Sequence, residues 1–186
     1  MNNKIVIGLA GQIASGKDTI ADYIVNKYGG VSVSFSQPLR DILNRAYLPI
    51  NRLNMSWLCQ TLVDHFGVDT MSNIIGKEIE ASDKEIFIMP NIRREGDVAY
   101  FKDWPGYILV GVETDPKVSY ERLIKRGQNV DDKTKTWEEF QKDLQLSTEV
   151  AIDDLIKKSS IKINNNSSLE DLYKQIDEII EKIKHQ

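Results

Sequence analysis

Short apolar runs recur along the chain, and most are followed by a stretch whose apolar residues fall three and four apart. The first run, Ile5-Val6-Ile7-Gly8-Leu9-Ala10, makes residues 4–9 a strand, and Ile20, Ile24, Lys27 and Tyr28 continue at helical spacing after Lys17. Gly29-Gly30 supplies the left-handed stop for that helix. Residues 31–35 alternate and are β-branched, which predicts a second strand, and Pro38 sits in the first turn of a helix over 36–43. The stretch 54–81 reads as two helices. Ser56 caps one that carries Leu58, Leu62 and Phe66 and stops at Gly67; Asp69 caps the other, with Met71, Ile74, Ile75 and Ile79. Residues 85–89 and 107–112 are apolar without alternation, as in parallel strands covered on both faces. Asp115-Pro116 opens a helix with Val118, Leu123 and Ile124, and residues 127–135 are polar and charged. Thr136 and Glu139 form a capping box for a long helix holding Phe140 and Leu144. A last strand at 161–163 precedes a helix begun by Ser167 or Ser168, with Leu169, Leu172, Ile176, Ile179, Ile180 and Ile183.

Five strands alternating with helices predict an α/β fold with a five-stranded parallel sheet, right-handed crossovers and helices on both faces. In such folds ligands bind outside the carboxyl ends of the strands. The polar candidates all fall there: residues 11–19, 36–40, 91–94, 113–115 and 164–166 each follow a strand.

Composition narrows the possible roles. At 186 residues and 41% hydrophobic, with no Pro/Gly/Ser-rich linker, one domain over 1–186 is the expectation. A net charge of −4 argues against a surface that coats nucleic acid, so positive potential must be local and suit small anionic ligands. Cys59 is the single cysteine and has no internal disulfide partner, and His65 and His185 lack zinc-ligand spacing. The N-terminal apolar run is too short for a signal core or a membrane span, so a cytoplasmic protein without membrane association is expected. Oligomeric state stays open, with a dimer among the options.

The chemistry starts at Gly11-Gln12-Ile13-Ala14-Ser15-Gly16-Lys17, a GxxxxGK spacing between a strand and a helix. Glycines at both ends let successive backbone N–H groups point at one set of phosphate oxygens at a helix N-terminus, and Lys17 adds a mobile positive charge. That arrangement predicts ATP binding. Asp18 follows the lysine where a hydroxyl ordinarily reaches Mg²⁺; it either holds the metal, directly or through water, or serves as a first-turn acid complementing the helix dipole. Thr19, one residue later, is placed to donate to a phosphate oxygen. Phosphoryl transfer needs positioned charge, which arginine forks supply. Arg93 is expected on the acceptor and the transferred group, Arg122 and Arg126 at the entrance of a lid over 126–136, and Arg40 on the acceptor. The strand that ends Met89-Pro90-Asn91 lacks the expected metal-binding acid. Asp97 either orients Arg93 or binds substrate, while Glu113 and Asp115 are possible metal partners, Asp115 also being a natural helix cap. His65 is assigned no chemistry, and Trp57, Trp104 and Trp137 are expected to pack.

Several segments together resemble the P-loop nucleoside and deoxynucleoside monophosphate kinases, with their dephospho-CoA kinase relatives. They are residues 11–19, with the GKDT variant of the loop; Ser34-Phe-Ser-Gln-Pro-Leu-Arg40; Phe66-Gly-Val-Asp69; Asn91-Ile-Arg93 followed by Asp97; and Asn165-Asn-Ser-Ser-Leu-Glu-Asp-Leu172. The resemblance implies a three-layer P-loop NTPase fold with a helical acceptor-binding region at 37–81. It further implies transfer of the γ-phosphoryl group of ATP with Mg²⁺ to a (deoxy)nucleoside monophosphate. A dephospho-CoA kinase-like transfer to a ribose hydroxyl, and a binding module without turnover, are the alternatives. Lys17 and the loop would hold the donor phosphates, Arg40 and Arg93 the acceptor phosphate, Arg122 and Arg126 the lid side, and Asn165 would lie beside the donor base. Asn91 replaces an acid of the family pattern, and Asp97 stands where a glutamate is usual.

Overall fold

The structure, a computed structural model, describes residues 4–127 and 132–184. Five parallel strands form one sheet in the order β2-β3-β1-β4-β5: β1 (Ile5–Gly11), β2 (Val31–Ser32), β3 (Ile86–Ile92), β4 (Tyr107–Glu113) and β5 (Ile161–Asn164). The central strand shows how the sequence builds two cores at once. Its Val6 and Ala10 point to one face and Ile7 and Leu9 to the other, and all four are buried.

On the Ile7 and Leu9 face lie α1 (Lys17–Tyr28) and α8 (Leu169–Lys184), which contribute Ile20 and Ile24, and Leu172, Ile176 and Ile180. The opposite face is covered by α4 (Thr70–Ala81), the 3₁₀ segment Glu95–Phe101 and α7 (Ser147–Lys158), through Ile75, Ile79, Phe101, Ile152 and Leu155. The fold is thus three-layered, and every strand points its carboxyl end to the same edge.

Several elements depart from the sequence expectation. Strand β2 pairs over two residues only, because the chain turns into α2 (Ser36–Arg45). Strand β3 runs on to Ile92 through Pro90; the register with β1 slips there, from Gly8 opposite Met89 to Ala10 opposite Ile92, as suits a residue with no N–H to donate. Ser56 does not cap α3 (Arg52–Phe66): the helix starts earlier, with the Asn51 side chain accepting from the Asn54 N–H at 2.9 Å. The predicted long helix after Thr136 is two, α6 (Trp137–Asp143) and α7, because the chain breaks step over residues 144–146.

The remaining helix, α5 (Pro116–Arg126), is capped by Asp115, whose carboxylate accepts from the Lys117 N–H at 2.8 Å. Its Tyr120 packs against Trp137 and Phe140 of α6, as expected for Trp137. Trp57 does not pack. It lies on α3, a helix with no buried side chain, and is 61% exposed. Among the described residues no helix is long and apolar enough to cross a membrane.

Candidate active site

The loop between β1 and α1 curls through two left-handed residues, Ala14 at φ 57° and Gly16 at φ 94°. Positive φ costs little at glycine but is strained at alanine, and such strain concentrates at sites that hold ligands. Glycine is required at 16 on a second count, since a Cβ there would run into the side-chain amide of Asn165. That amide, buried after β5, donates from Nδ2 to the Ser15 carbonyl at 2.8 Å, and the Thr114 hydroxyl donates to the same carbonyl at 3.2 Å. Arg122 braces Asn165 in turn, donating from Nη1 to its carbonyl at 2.9 Å. The ends of β4 and β5 therefore clamp the loop from behind.

Replacing Asn165 with alanine removes the buried bond to the Ser15 carbonyl and leaves it the Thr114 hydroxyl as its side-chain donor. The expected cost is about 0.5–1.5 kcal/mol in thermal denaturation, with weaker nucleotide binding alongside. An unchanged melting temperature would mean the clamp is incidental.

In front of the loop is a cavity of about 480 Å³ lined by Gly11, Ile13, Ala14, Lys17, Asp18, Arg52, Asn91, Ile92, Arg93, Arg126, Glu149 and Ile152. Lys17 Nζ donates to the carbonyls of Gly11 at 2.7 Å and Gln12 at 2.8 Å and to Ser15 Oγ at 3.3 Å. Burial pushes the Lys17 ammonium down to about 8; Asp18 and Glu149 oppose that shift, and Arg93 and Arg126 add to it. Five charged groups from four parts of the chain thus act on one spot. An anionic ligand there would restore the lysine's ordinary protonation by supplying the missing negative charge.

Arg93 reaches the cavity from the end of β3. Its backbone is fixed by Asp97, whose Oδ2 accepts from the N–H groups of Arg93 at 2.9 Å and Arg94 at 3.2 Å, while Oδ1 lies 3.4 Å from Arg94 Nε. Asp97 therefore shapes the arginine turn and is not among the residues that line the cavity. Arg126 arrives from the last turn of α5, with Nη2 3.9 Å from the carboxylate of buried Asp132. Part of the expected lid, residues 128–131, lies outside the described residues. The portion after it is tied down, with Tyr120 donating to the Lys135 carbonyl at 2.9 Å and Lys135 paired with Asp143.

A second cavity, about 580 Å³, opens between α2 and α3 and is lined by Leu39, Arg40, Ile50, Asn51, Arg52, Met55, Ser56, Cys59, Gln60 and Arg94. Arg52 borders both cavities. Arg40 lies in this second one. Gln12, Ser15, Gly16, Thr19, Arg122 and Asn165 do not line the first cavity: Gln12 donates from Nε2 to Asp153 of α7 at 2.7 Å, and Thr19 borders a separate surface hollow with Tyr23 and Tyr173. Glu113, considered as a metal partner, pairs with Lys162 at 2.9 Å instead. His65 is exposed, with its ring edge-on to Phe66 at 4.6 Å.

Two cavity residues escape a reading of the sequence. Arg52 opens α3 with no acid in the first turn, a cation at the helix end that disfavours one, and this is a signal only once the helix start is placed correctly. Glu149 was hidden by joining α6 and α7, which puts it on the wrong helical phase.

The arrangement of sheet and covering helices is shared with solved structures. Dephospho-CoA kinase from Campylobacter jejuni superimposes with a TM-score of 0.62 at 18% identity, covering 100% of this chain and 98% of that one. The likeness is one of fold, a three-layer α/β arrangement on a five-stranded parallel sheet. Shikimate kinase from Bacteroides thetaiotaomicron gives 0.60 at 13% identity over 97% of this chain and 98% of its own. In sequence the chain is similar to UPF0200 protein MJ1399 of Methanocaldococcus jannaschii, 29% identical over 182 residues that cover 96% of this chain and 90% of the relative. No family model matches the chain.

Proposed function

We propose that the chain is an ATP-dependent phosphotransferase that moves the γ-phosphoryl group to a small anionic acceptor. The observation that carries this reading is the first cavity, where a strand-to-helix loop with left-handed turns, Lys17, Arg93 and Arg126 converge. The loop N–H groups and the N-terminus of α1 suit the donor phosphates. Lys17 and the two guanidinium groups suit the charge that spreads over the moving phosphoryl group. The acceptor is assigned to the second cavity, formed by the region 37–81 together with Arg94, whose lining combines Arg40, Arg52 and Arg94 with apolar Leu39, Ile50 and Met55.

Magnesium fits this site as a companion of ATP. Among the described residues no group of three or more histidine, cysteine or acidic side chains could cage a metal, but Asp18 places one hard oxygen donor in the cavity. One carboxylate plus phosphate oxygens and water is the usual way Mg²⁺ is held beside a nucleotide. It would neutralise charge on the phosphates there.

Two acceptor chemistries suit the second cavity. The loop sequence and the arginines around it favour a (deoxy)nucleoside monophosphate; a hydroxyl, as in dephospho-CoA kinase-like transfer, is favoured by the Glu149 carboxylate in the first cavity. A thermal-shift series with Mg²⁺ and a non-hydrolysable ATP analogue, repeated with AMP, dAMP, dGMP, dephospho-CoA and shikimate, tests the reading. At a hundredfold excess over Kd a true ligand adds about 2.7 kcal/mol. Absence of any stabilisation by the ATP analogue would refute nucleotide binding; stabilisation without ADP release from ATP under any acceptor would leave a binding module.

A further inference from the structure

The residues that line the first cavity include a carboxylate with no role in holding phosphates. Glu149, in the first turn of α7, lines the cavity with Lys17, Asp18 and Arg93. Its Oε2 is buried and, among the described residues, has no hydrogen-bond partner. Buried carboxylate oxygens are ordinarily bonded, because leaving one unpaired forfeits its solvation without return.

The position is built by the fold. Ile152 and Ile156, on the same side of α7, are buried against the sheet, and Asp153, one turn on, accepts from Gln12 Nε2 of the loop at 2.7 Å. Helix α7 is thus bolted to the phosphate loop, and Glu149 is carried with it. A purely structural carboxylate would be expected to engage its oxygens as Asp97 does, with Oδ2 accepting from two backbone N–H groups and Oδ1 beside Arg94 Nε.

Among the residues that line the first cavity, Asp18 and Glu149 are the carboxylates. Strand β3 offers Asn91 just before its end, the turn after β2 offers Ser34 and Ser36, whose hydroxyls bond each other at 2.8 Å, and the other cavity carboxylate, Asp18, is exposed beside the loop. The two acceptor chemistries differ in what they ask of such a group. A monophosphate attacks through an oxygen that already carries negative charge, so it needs no base and is repelled by a carboxylate. A hydroxyl is neutral and must lose a proton as it attacks.

We propose that Glu149 is the proton acceptor for a hydroxyl-bearing, anionic small molecule, which makes the acceptor class an alcohol and not a nucleoside monophosphate. This rests on the phosphotransferase reading above. The acceptor oxygen forms a bond to the γ-phosphorus while the bond from that phosphorus to the β–γ bridging oxygen breaks. The bridging oxygen leaves with its electron pair as part of ADP, and the hydroxyl proton passes to Glu149. Arg40, Arg52 and Arg94 hold the anionic part of the acceptor, away from the carboxylate.

The test measures ADP release by the wild type, Glu149→Gln and Glu149→Asp, with ATP and Mg²⁺, using water alone, dephospho-CoA, shikimate, AMP and dAMP as acceptors. Glutamine keeps the shape and cannot take the proton, so kcat with the best hydroxyl probe should fall at least about 100-fold, with aspartate partly restoring it. KM for ATP and the melting temperature should stay within twofold and a few degrees of wild type. If no probe outpaces water, the comparison is made on water-driven hydrolysis, where the same loss is expected. Unchanged turnover in Glu149→Gln overturns the proposal, as does a diphosphate product from AMP or dAMP. A loss that excess Mg²⁺ restores overturns it too, by making Glu149 a metal ligand. Failure of the wild type to release ADP under any condition instead removes the phosphotransferase reading on which the proposal stands.

Discussion

Lys17→Ala should abolish phosphoryl transfer while leaving the chain folded. The ammonium group is held over the loop by three hydrogen bonds and is the point charge nearest the backbone that would cradle the phosphates. Removing one preorganised donor from a transition-state site costs roughly 10²–10³ in kcat, and the loss of a full, largely buried charge belongs at or above the upper end. Stability should not suffer, because a cation whose pKa is driven down by burial is a liability to the unliganded fold: its burial disfavours the charged form. Lys17→Arg keeps the charge but replaces a compact ammonium with a planar fork in a tight loop, and should recover little. ADP release within about tenfold of wild type in Lys17→Ala would contradict the assigned role, because such a loss is smaller than removal of a single oriented donor ordinarily brings.

The largest expected stability effect lies beneath the site. Phe101 is fully buried, with ring centroids 5.5 Å from Tyr100, 5.8 Å from Trp104 and 5.7 Å from Tyr107. It ends the 3₁₀ segment whose Asp97 fixes the backbone of Arg93 and Arg94. Phe101→Ala should cost about 3–5 kcal/mol, the lost transfer energy plus a cavity that rigid aromatic neighbours cannot close. For a chain of this length that lowers the melting temperature by roughly 10 °C. Because the segment also sets the direction of Arg93, KM for the acceptor should rise in the surviving folded fraction. A fall of less than about 2 °C would show that the cluster repacks more freely than close-packed interiors allow.

What could be read from residues alone follows from how far apart the interacting groups lie in the chain. The loop at 11–17 and the caps at Gly29, Asp115 and Thr136 are local, set by a few neighbouring residues, and each appears where the sequence puts it. The parallel sheet was legible too, because unbroken apolar runs of strand length, alternating with helical stretches, suit strands covered on both faces. Interactions across long sequence separation were not legible. Arg122 looks like a lid arginine by spacing, yet it braces Asn165, 43 residues away. Glu149 reaches the Lys17 cavity only because α7 docks on the loop through Gln12 and Asp153, 141 residues apart. Trp57 reads as a packing residue by type, but its helix lies beyond the sheet's reach, with no core to enter.

Arg52 stands at the common wall of the two cavities, and a single guanidinium cannot turn fully toward both. Whichever compartment fills first fixes its rotamer and so presets the electrostatics met by the second ligand. Such coupling is reciprocal by thermodynamic necessity: whatever factor the nucleotide imposes on acceptor affinity, the acceptor imposes on the nucleotide. On the proposed reading, the ligands of the two cavities are therefore expected to bind as a coupled pair, and not as independent guests.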